Sequence, residues 1–122
     1  MNRSQCIQYI ESCTQARSEF EGKKAQYESL SGPLSDAVAA LMAASGNISR
    51  AASELGKNYT SNKTTKKVGT LQEQCSKISS MVSTLTSAMQ AVVERVRTLN
   101  YKIEEMNSLI QQYNAILPTL KE

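Results

Sequence analysis

Few side chains in this sequence could carry chemistry. The 122 residues include three cysteines, Cys6, Cys13 and Cys75, and no histidine. The cysteines lack the Cys-x-x-Cys spacing of a zinc site, and their odd number favours small buried hydrophobic residues over a disulfide framework. Glu104 and Glu105 are the one pair of adjacent carboxylates, but neighbours on a helix point about 100° apart and cannot share a proton. We therefore expect no enzyme, no metal site and no cofactor.

The element that must position these residues is a long apolar repeat in the second half of the chain. Apolar residues recur at alternating steps of four and three, with no proline or glycine before Pro118. A spacing that averages 3.5 residues predicts one continuous helix whose stripe is covered by other helices, as in a coiled coil. With Leu71 at heptad position d and Cys75 at a, the stripe consists of Leu71, Cys75, Ile78, Val82, Leu85, Met89, Val92, Val96, Leu99, Ile103, Met106, Ile110, Tyr113, Leu117 and Leu120.

The first half carries a weaker form of the same repeat. Residues seven apart are Cys6, Cys13, Phe20, Tyr27, Leu34, Leu41, Ile48 and Leu55. We expect their companions three places further on, from Tyr9 to Ala51, to complete the seam. Gly32-Pro33 interrupts the pattern, and proline removes an amide donor, so a kink or a short break is predicted there. The repeat keeps its phase across this point, which favours one kinked arm over two helices.

The boundaries of the arms follow from glycine, threonine and the polar stretch between them. Gly56 is the predicted C-terminal cap of the first arm, and Thr70 to Glu73 form a predicted capping box in the second. We expect arm 1 at about residues 2–55, a loop at 56–65 and arm 2 at 66–117. Two arms of roughly 75 Å around one loop predict an all-α, coiled-coil-like antiparallel hairpin that makes a single domain, 1–122.

Apolar residues extend beyond the seam of a two-helix hairpin. In the second arm they occupy the flanking e and g positions, and in the first arm Val38 and Met42 lie beside the predicted seam. An apolar stripe of this width is typical of bundles of three or four helices. The predicted partner-interface residues are Val38, Met42, Met81, Val93, Leu109 and Ile116.

The charge distribution and the search for targeting signals restrict the classes of partner and the cellular compartment that we expect. The net charge is +3, and its main concentration is a loop cluster of Lys57, Lys63, Lys66 and Lys67. A solvated loop is the favoured interpretation of this cluster, with a membrane-surface or nucleic-acid binder as a weaker hypothesis. The sequence shows neither a signal peptide nor a stretch that could span a bilayer. We expect a cytoplasmic protein, or one exported without a cleavable signal.

Tyr101 and Glu105 lie one helical turn apart on the predicted outer face, where an exposed aromatic residue is unusual. Together with the two arms, this Tyr-x-x-x-Glu pattern resembles the small helical-hairpin proteins of Gram-positive type VII secretion, the WXG-like proteins and the helical partners of LXG toxins. The resemblance implies an export signal at Tyr101 and Glu105. The Trp-x-Gly turn of WXG proteins is missing, and Tyr59 and Ser61 stand at the candidate turn motif, so the resemblance is closer to the partner proteins.

The resemblance implies a non-enzymatic targeting or chaperone partner that binds the helical N-terminal domain of an LXG-type effector. A second small helical protein or a second copy of the chain are further expected partners. The alternative is a self-assembling coiled-coil protein, such as a filament, needle or spacer subunit. Neither hypothesis requires nucleic acid or a membrane span.

Overall fold

A computed structural model describes residues 1–58 and 61–121, and over these residues the chain is helical and has no strand. Helix α1 spans Arg3–Asn58 and helix α2 spans Asn62–Ile116. A short 3-10 turn, Leu117–Thr119, follows α2. The two long helices pack against each other as a helical hairpin, which confirms the predicted all-α fold class.

The heptad repeat of the sequence corresponds to the buried side of each helix. All fifteen stripe residues, thirteen in α2 and two just beyond its end, are buried or half-buried, as are all eight residues seven apart in α1. The most deeply buried are Cys6, Cys13, Ala52, Val92 and Leu99. Burying such side chains gives roughly 1.5–3 kcal/mol each for the larger ones, so the seam is the main source of stability.

The second column of α1 differs from the prediction. Tyr9 and Leu30, three places after seam residues, are exposed, whereas Ala52, four places after Ile48, is buried. Arg17 and Ser45, which also stand four places after seam residues, are half-buried. A repeat of seven residues identifies only one column of the seam. The prediction placed the second column three residues further on, at the alanine-rich positions, whereas the buried column lies four residues further on. Positions 6, 13 and 20 are therefore heptad d, and the a positions of α1 are partly polar.

The chain divides into two compact units, which we describe separately. Unit 1 comprises Met1–Leu30 and Val92–Glu122. The backbone N–H of Arg3 donates to the carbonyl of Lys121 at 3.1 Å. The Cys6 thiol donates to the carbonyl of Tyr113 at 3.4 Å, near the end of α2, where carbonyls run out of intrahelical donors. These contacts place the start of α1 beside the end of α2, as an antiparallel hairpin requires.

Unit 2 comprises Ser31–Ala91. The Cys75 thiol donates to the carbonyl of Ser45 with a sulfur-to-oxygen distance of 3.6 Å. Ala52 is buried in the same unit, and Leu55 and Val68 are half-buried on the facing helices.

The ends of the helices differ from the predicted ends. Ser61 caps α2: its Oγ accepts a hydrogen bond from the Thr64 N–H at 3.2 Å, while Thr70 lies inside the helix and bonds the carbonyl of Lys66. The predicted capping box at Thr70 is therefore wrong. Gly56 also lies inside α1, and no glycine in the described residues has a positive φ, so the predicted glycine cap is wrong as well.

A capping box not expected from the sequence starts α1. The Asn2 side chain accepts from the Gln5 N–H at 2.8 Å, and the Gln5 side chain accepts from the Asn2 N–H at 3.0 Å. This reciprocal pair satisfies two amides that have no helical partner. At Gly32-Pro33 the helix is continuous, so arm 1 is one helix and not two. The kink itself stays a prediction.

Candidate functional site

The surfaces that can bind a further helix lie on the two sides of the seam. In an antiparallel pair, e positions of both helices share one side of the seam and g positions share the other. The contacts of unit 1 follow this rule. On the g side the Tyr9 and Tyr113 rings stack with centroids 5.5 Å apart. On the e side Arg17 Nη1 donates to Asn107 Oδ1 at 2.8 Å.

The g side of unit 1 is basic, and we call it the basic flank. Its charged residues are Lys23 on α1 and Arg95 and Lys102 on α2, with no carboxylate at a g position of this unit. Lys102 Nζ lies 5.5 Å from the centre of the Phe20 ring, within cation–π range. The exposed large apolar residues of the basic flank are Tyr9, Leu30 and Ile116, and Leu109, also at a g position, is half-buried.

The e side of unit 1 carries charges of both signs, and we call it the mixed flank. Glu21 and Glu28 stand at e positions and are exposed, while Arg17 reaches Asn107 on this side from an a position. Glu28 also lies 4.0 Å from Lys24 Nζ in an i,i+4 pair, which at this exposure stabilises little. The uncharged residues at e positions of the mixed flank are Ile7, Thr14, Val93, Asn100, Asn107 and Asn114.

Unit 2 has uncharged surfaces on both sides of most of its seam. Met42, on the e side, is 60 % exposed and lines a shallow groove with Ser45, Ile78, Ser79 and Val82. Met81, on the g side, is 52 % exposed. The other g positions from residue 37 to 51 of α1 and from 74 to 88 of α2 are Ala37, Ala44, Ala51, Gln74 and Ala88. Side chains this small leave room for a third helix to approach.

The predicted interface residues are therefore not one surface. Met42 and Met81 are exposed in unit 2, on opposite sides of its seam, while Val38 is half-buried at an a position. The prediction that Val38 lies off the seam is wrong, because the a column of α1 falls four places after the d residues. In unit 1, Val93 and Ile116 are exposed, and Leu109 is half-buried.

The remaining predicted site residues are Tyr101 and Glu105 on the outer face of α2 and the turn-motif candidates. Tyr101 is 65 % exposed and lines a shallow groove with Arg97, Asn100 and Glu104. Glu105, one turn further on, is also exposed. Ser61 acts as the helix cap described above, and Tyr59 lies outside the described residues.

The sequence pattern did not predict the basic flank of unit 1. Lys23 stands far along the chain from Arg95 and Lys102, and their common side becomes apparent only when the a and d columns of both helices are assigned. The g positions of the two arms in antiparallel register bring these three cations to one side.

Neither described helix contains a segment long and apolar enough to cross a bilayer. Within residues 1–58 and 61–121, no three metal-ligating side chains cluster. Comparison with protein-family models, curated protein sequences and solved structures finds no match to this chain.

Proposed function

We propose that this chain is a non-enzymatic binding partner that packs a helical domain of another protein against unit 2. The observation that carries the proposal is the exposure of Met42 and Met81 beside a seam of small, uncharged residues. Methionine side chains are flexible and apolar, so they adapt to the ridges of an incoming helix. Burying the part of each methionine that is still exposed would contribute roughly 1–2 kcal/mol to the complex.

In its finer form, the proposal makes the partner the helical N-terminal domain of an LXG-type effector, which this chain accompanies to a type VII export system. Its support is the hairpin fold together with the exposed Tyr101 and Glu105, which match the Tyr-x-x-x-Glu pattern of that group.

Co-expression with the N-terminal domain of an LXG-type effector from the same genome tests the proposal. We expect a stable complex, weakened more than tenfold by Met42→Asp or Met81→Asp, because each change would bury an unpaired carboxylate. Ala43→Asp and Ser87→Asp, which add the same charge at exposed f positions on the outer faces of the helices, are the matched controls.

Two results would contradict the proposal. Failure of the wild-type chain to bind any such domain would exclude the type VII partner. Binding that survives the double change at Met42 and Met81 would show that unit 2 is not the docking surface. Helicity measured by circular dichroism separates loss of binding from loss of fold.

A further inference from the structure

We propose that the lysine-rich end of unit 2 binds the surface of an anionic lipid bilayer. This end, which we name the lysine end, consists of Lys57 in the last turn of α1 and Lys63, Lys66 and Lys67 in the first two turns of α2. All four side chains are exposed. The inference concerns a different surface from the methionines of unit 2 and goes beyond the partner binding proposed above.

The positive excess of the chain lies around the lysine end. From residue 50 to residue 77 the sequence has six basic and two acidic residues, a net charge of +4. The whole chain has 14 basic and 11 acidic residues, so the remainder carries eight basic and nine acidic residues, a net charge of −1. Glu54 and Glu73 balance only two of the six cations, and the ion pairs among the described residues both lie in unit 1. This end of the chain therefore attracts an anionic surface.

The lysines are also held in helical turns, whereas the sequence pattern favoured a solvated loop. Helix α2 begins at Asn62, and its first turn contains Lys63 and no acidic residue. Free N–H groups give the start of a helix a partial positive charge, so a cation there is unfavourable and Asp or Glu is favoured instead. Residues that break such a local rule occur at functional sites. An anionic surface facing Lys63 would remove the unfavourable interaction.

The number and type of the cations select a bilayer over a nucleic acid. Proteins that bind duplex DNA through its backbone contact roughly six to ten phosphates, more than the four lysines of this end can neutralise. Arginine, which pairs with single phosphates through two hydrogen bonds, is absent between Arg50 and Arg95. Clusters of about four to eight basic residues without such specific pairing are typical of segments attracted to anionic headgroups.

The surroundings of the lysine end also select a bilayer over a second protein. Binding energy at protein interfaces is concentrated in a few side chains that fill pockets, mainly aromatic residues and arginine. Among the described residues from 43 to 80, no large hydrophobic side chain is exposed. The exposed Met42 and Met81 each lie about 20 Å along the helix axis from the nearest of the four lysines. Attraction to headgroups needs no apolar anchor, because it acts on charge alone.

Sedimentation with lipid vesicles tests the proposal on the full chain. We expect the chain to pellet with vesicles of equal parts phosphatidylglycerol and phosphatidylcholine, and to stay in solution with phosphatidylcholine alone. Lys63→Gln, Lys66→Gln and Lys67→Gln combined should weaken binding about a hundredfold, since each lysine near an anionic surface contributes about fivefold. Binding of the wild-type chain should be lost at about 1 M salt, where charges are screened beyond about 3 Å.

The matched control removes the same charge from unit 1. Lys23→Gln, Arg95→Gln and Lys102→Gln combined lower the net charge equally but leave the lysine end intact, so this variant should bind anionic vesicles like wild type. Glutamine favours helix about as well as lysine and arginine do, so circular dichroism should show the same helicity in both triple variants.

Three results would overturn the proposal. The first is a wild-type chain that does not pellet with anionic vesicles in low salt. The second is equal weakening by both triple variants, which would make binding a property of net charge alone. The third is tighter binding to a DNA duplex than to the vesicles at the same salt concentration. If the lysine variant loses helicity, Lys63→Gln alone replaces it and should weaken vesicle binding about fivefold.

Discussion

At the scale of single residues, stability depends on which side of α2 a side chain occupies. Leu99 is 7 % exposed at a d position, and Val93, at an e position less than two turns away, is 52 % exposed. Leu99→Ala should lower the free energy of unfolding by about 2–4 kcal/mol, since it removes buried methyl groups and leaves a cavity. Val93→Ala should change it by no more than about 0.5 kcal/mol.

Urea unfolding of the two variants, followed by circular dichroism, makes this comparison. Equal losses from both substitutions would mean that Val93 is covered in solution. If a second molecule covers Val93, dilution of the Val93→Ala sample would reduce its effect.

At the scale of the helices, the cap of α2 gives a direct test of where the helix begins. Ser61→Ala removes the hydroxyl that accepts the Thr64 N–H and should cost about 1 kcal/mol. Thr70→Ala, inside the helix, should be neutral or slightly stabilising, because the threonine hydroxyl only bonds the Lys66 carbonyl of its own helix. The reverse order of effects, measured by thermal unfolding, would restore the capping box at Thr70.

Glycine within α1 provides a second test at this scale. A Cβ added at Gly56 or Gly46 would meet open space, and neither residue has a positive φ. Gly56→Ala and Gly46→Ala should each stabilise the chain by about 0.5–1 kcal/mol, through higher helix propensity and a less flexible unfolded chain. If Gly56 were instead a left-handed helix cap, Gly56→Ala would destabilise while Gly46→Ala still stabilised.

The sequence predicts the existence of the two helices better than it predicts where they end and which residues of α1 face the seam. Thirteen stripe positions in α2 fix its buried face, because a steady spacing of 3.5 residues admits one register. In α1 the repeat of seven fixes only the d column. The a column is harder to recognise in the sequence, because it contains polar residues such as Arg17 and Ser45. The end of a helix depends on which side chain caps it by a hydrogen bond. Several Ser, Thr and Asn residues near the helix ends could act as that cap.

At the scale of the whole molecule, the two units present different kinds of surface. Unit 1 presents charged flanks, with Lys23, Arg95 and Lys102 on one side and charges of both signs on the other. Along most of its seam unit 2 offers alanines, serines and two exposed methionines. Charged flanks select a complementary charged surface, whereas small uncharged flanks admit a range of apolar helices. This difference is why we assign partner binding to unit 2.

The outer face of α2 carries the two residues that we expect to act in export if the chain is a targeting partner. Tyr101 is 65 % exposed and Glu105 is exposed one turn away, so Tyr101→Ala and Glu105→Ala should change stability by no more than about 0.5 kcal/mol. If the chain directs an effector to a type VII system, both changes should stop secretion of the effector while its complex with this chain stays intact. Arg97→Ala, in the same groove, is the control and should leave secretion normal. Secretion that persists without both side chains would exclude the targeting role, and a fold that collapses without Tyr101 would place that ring in a buried contact.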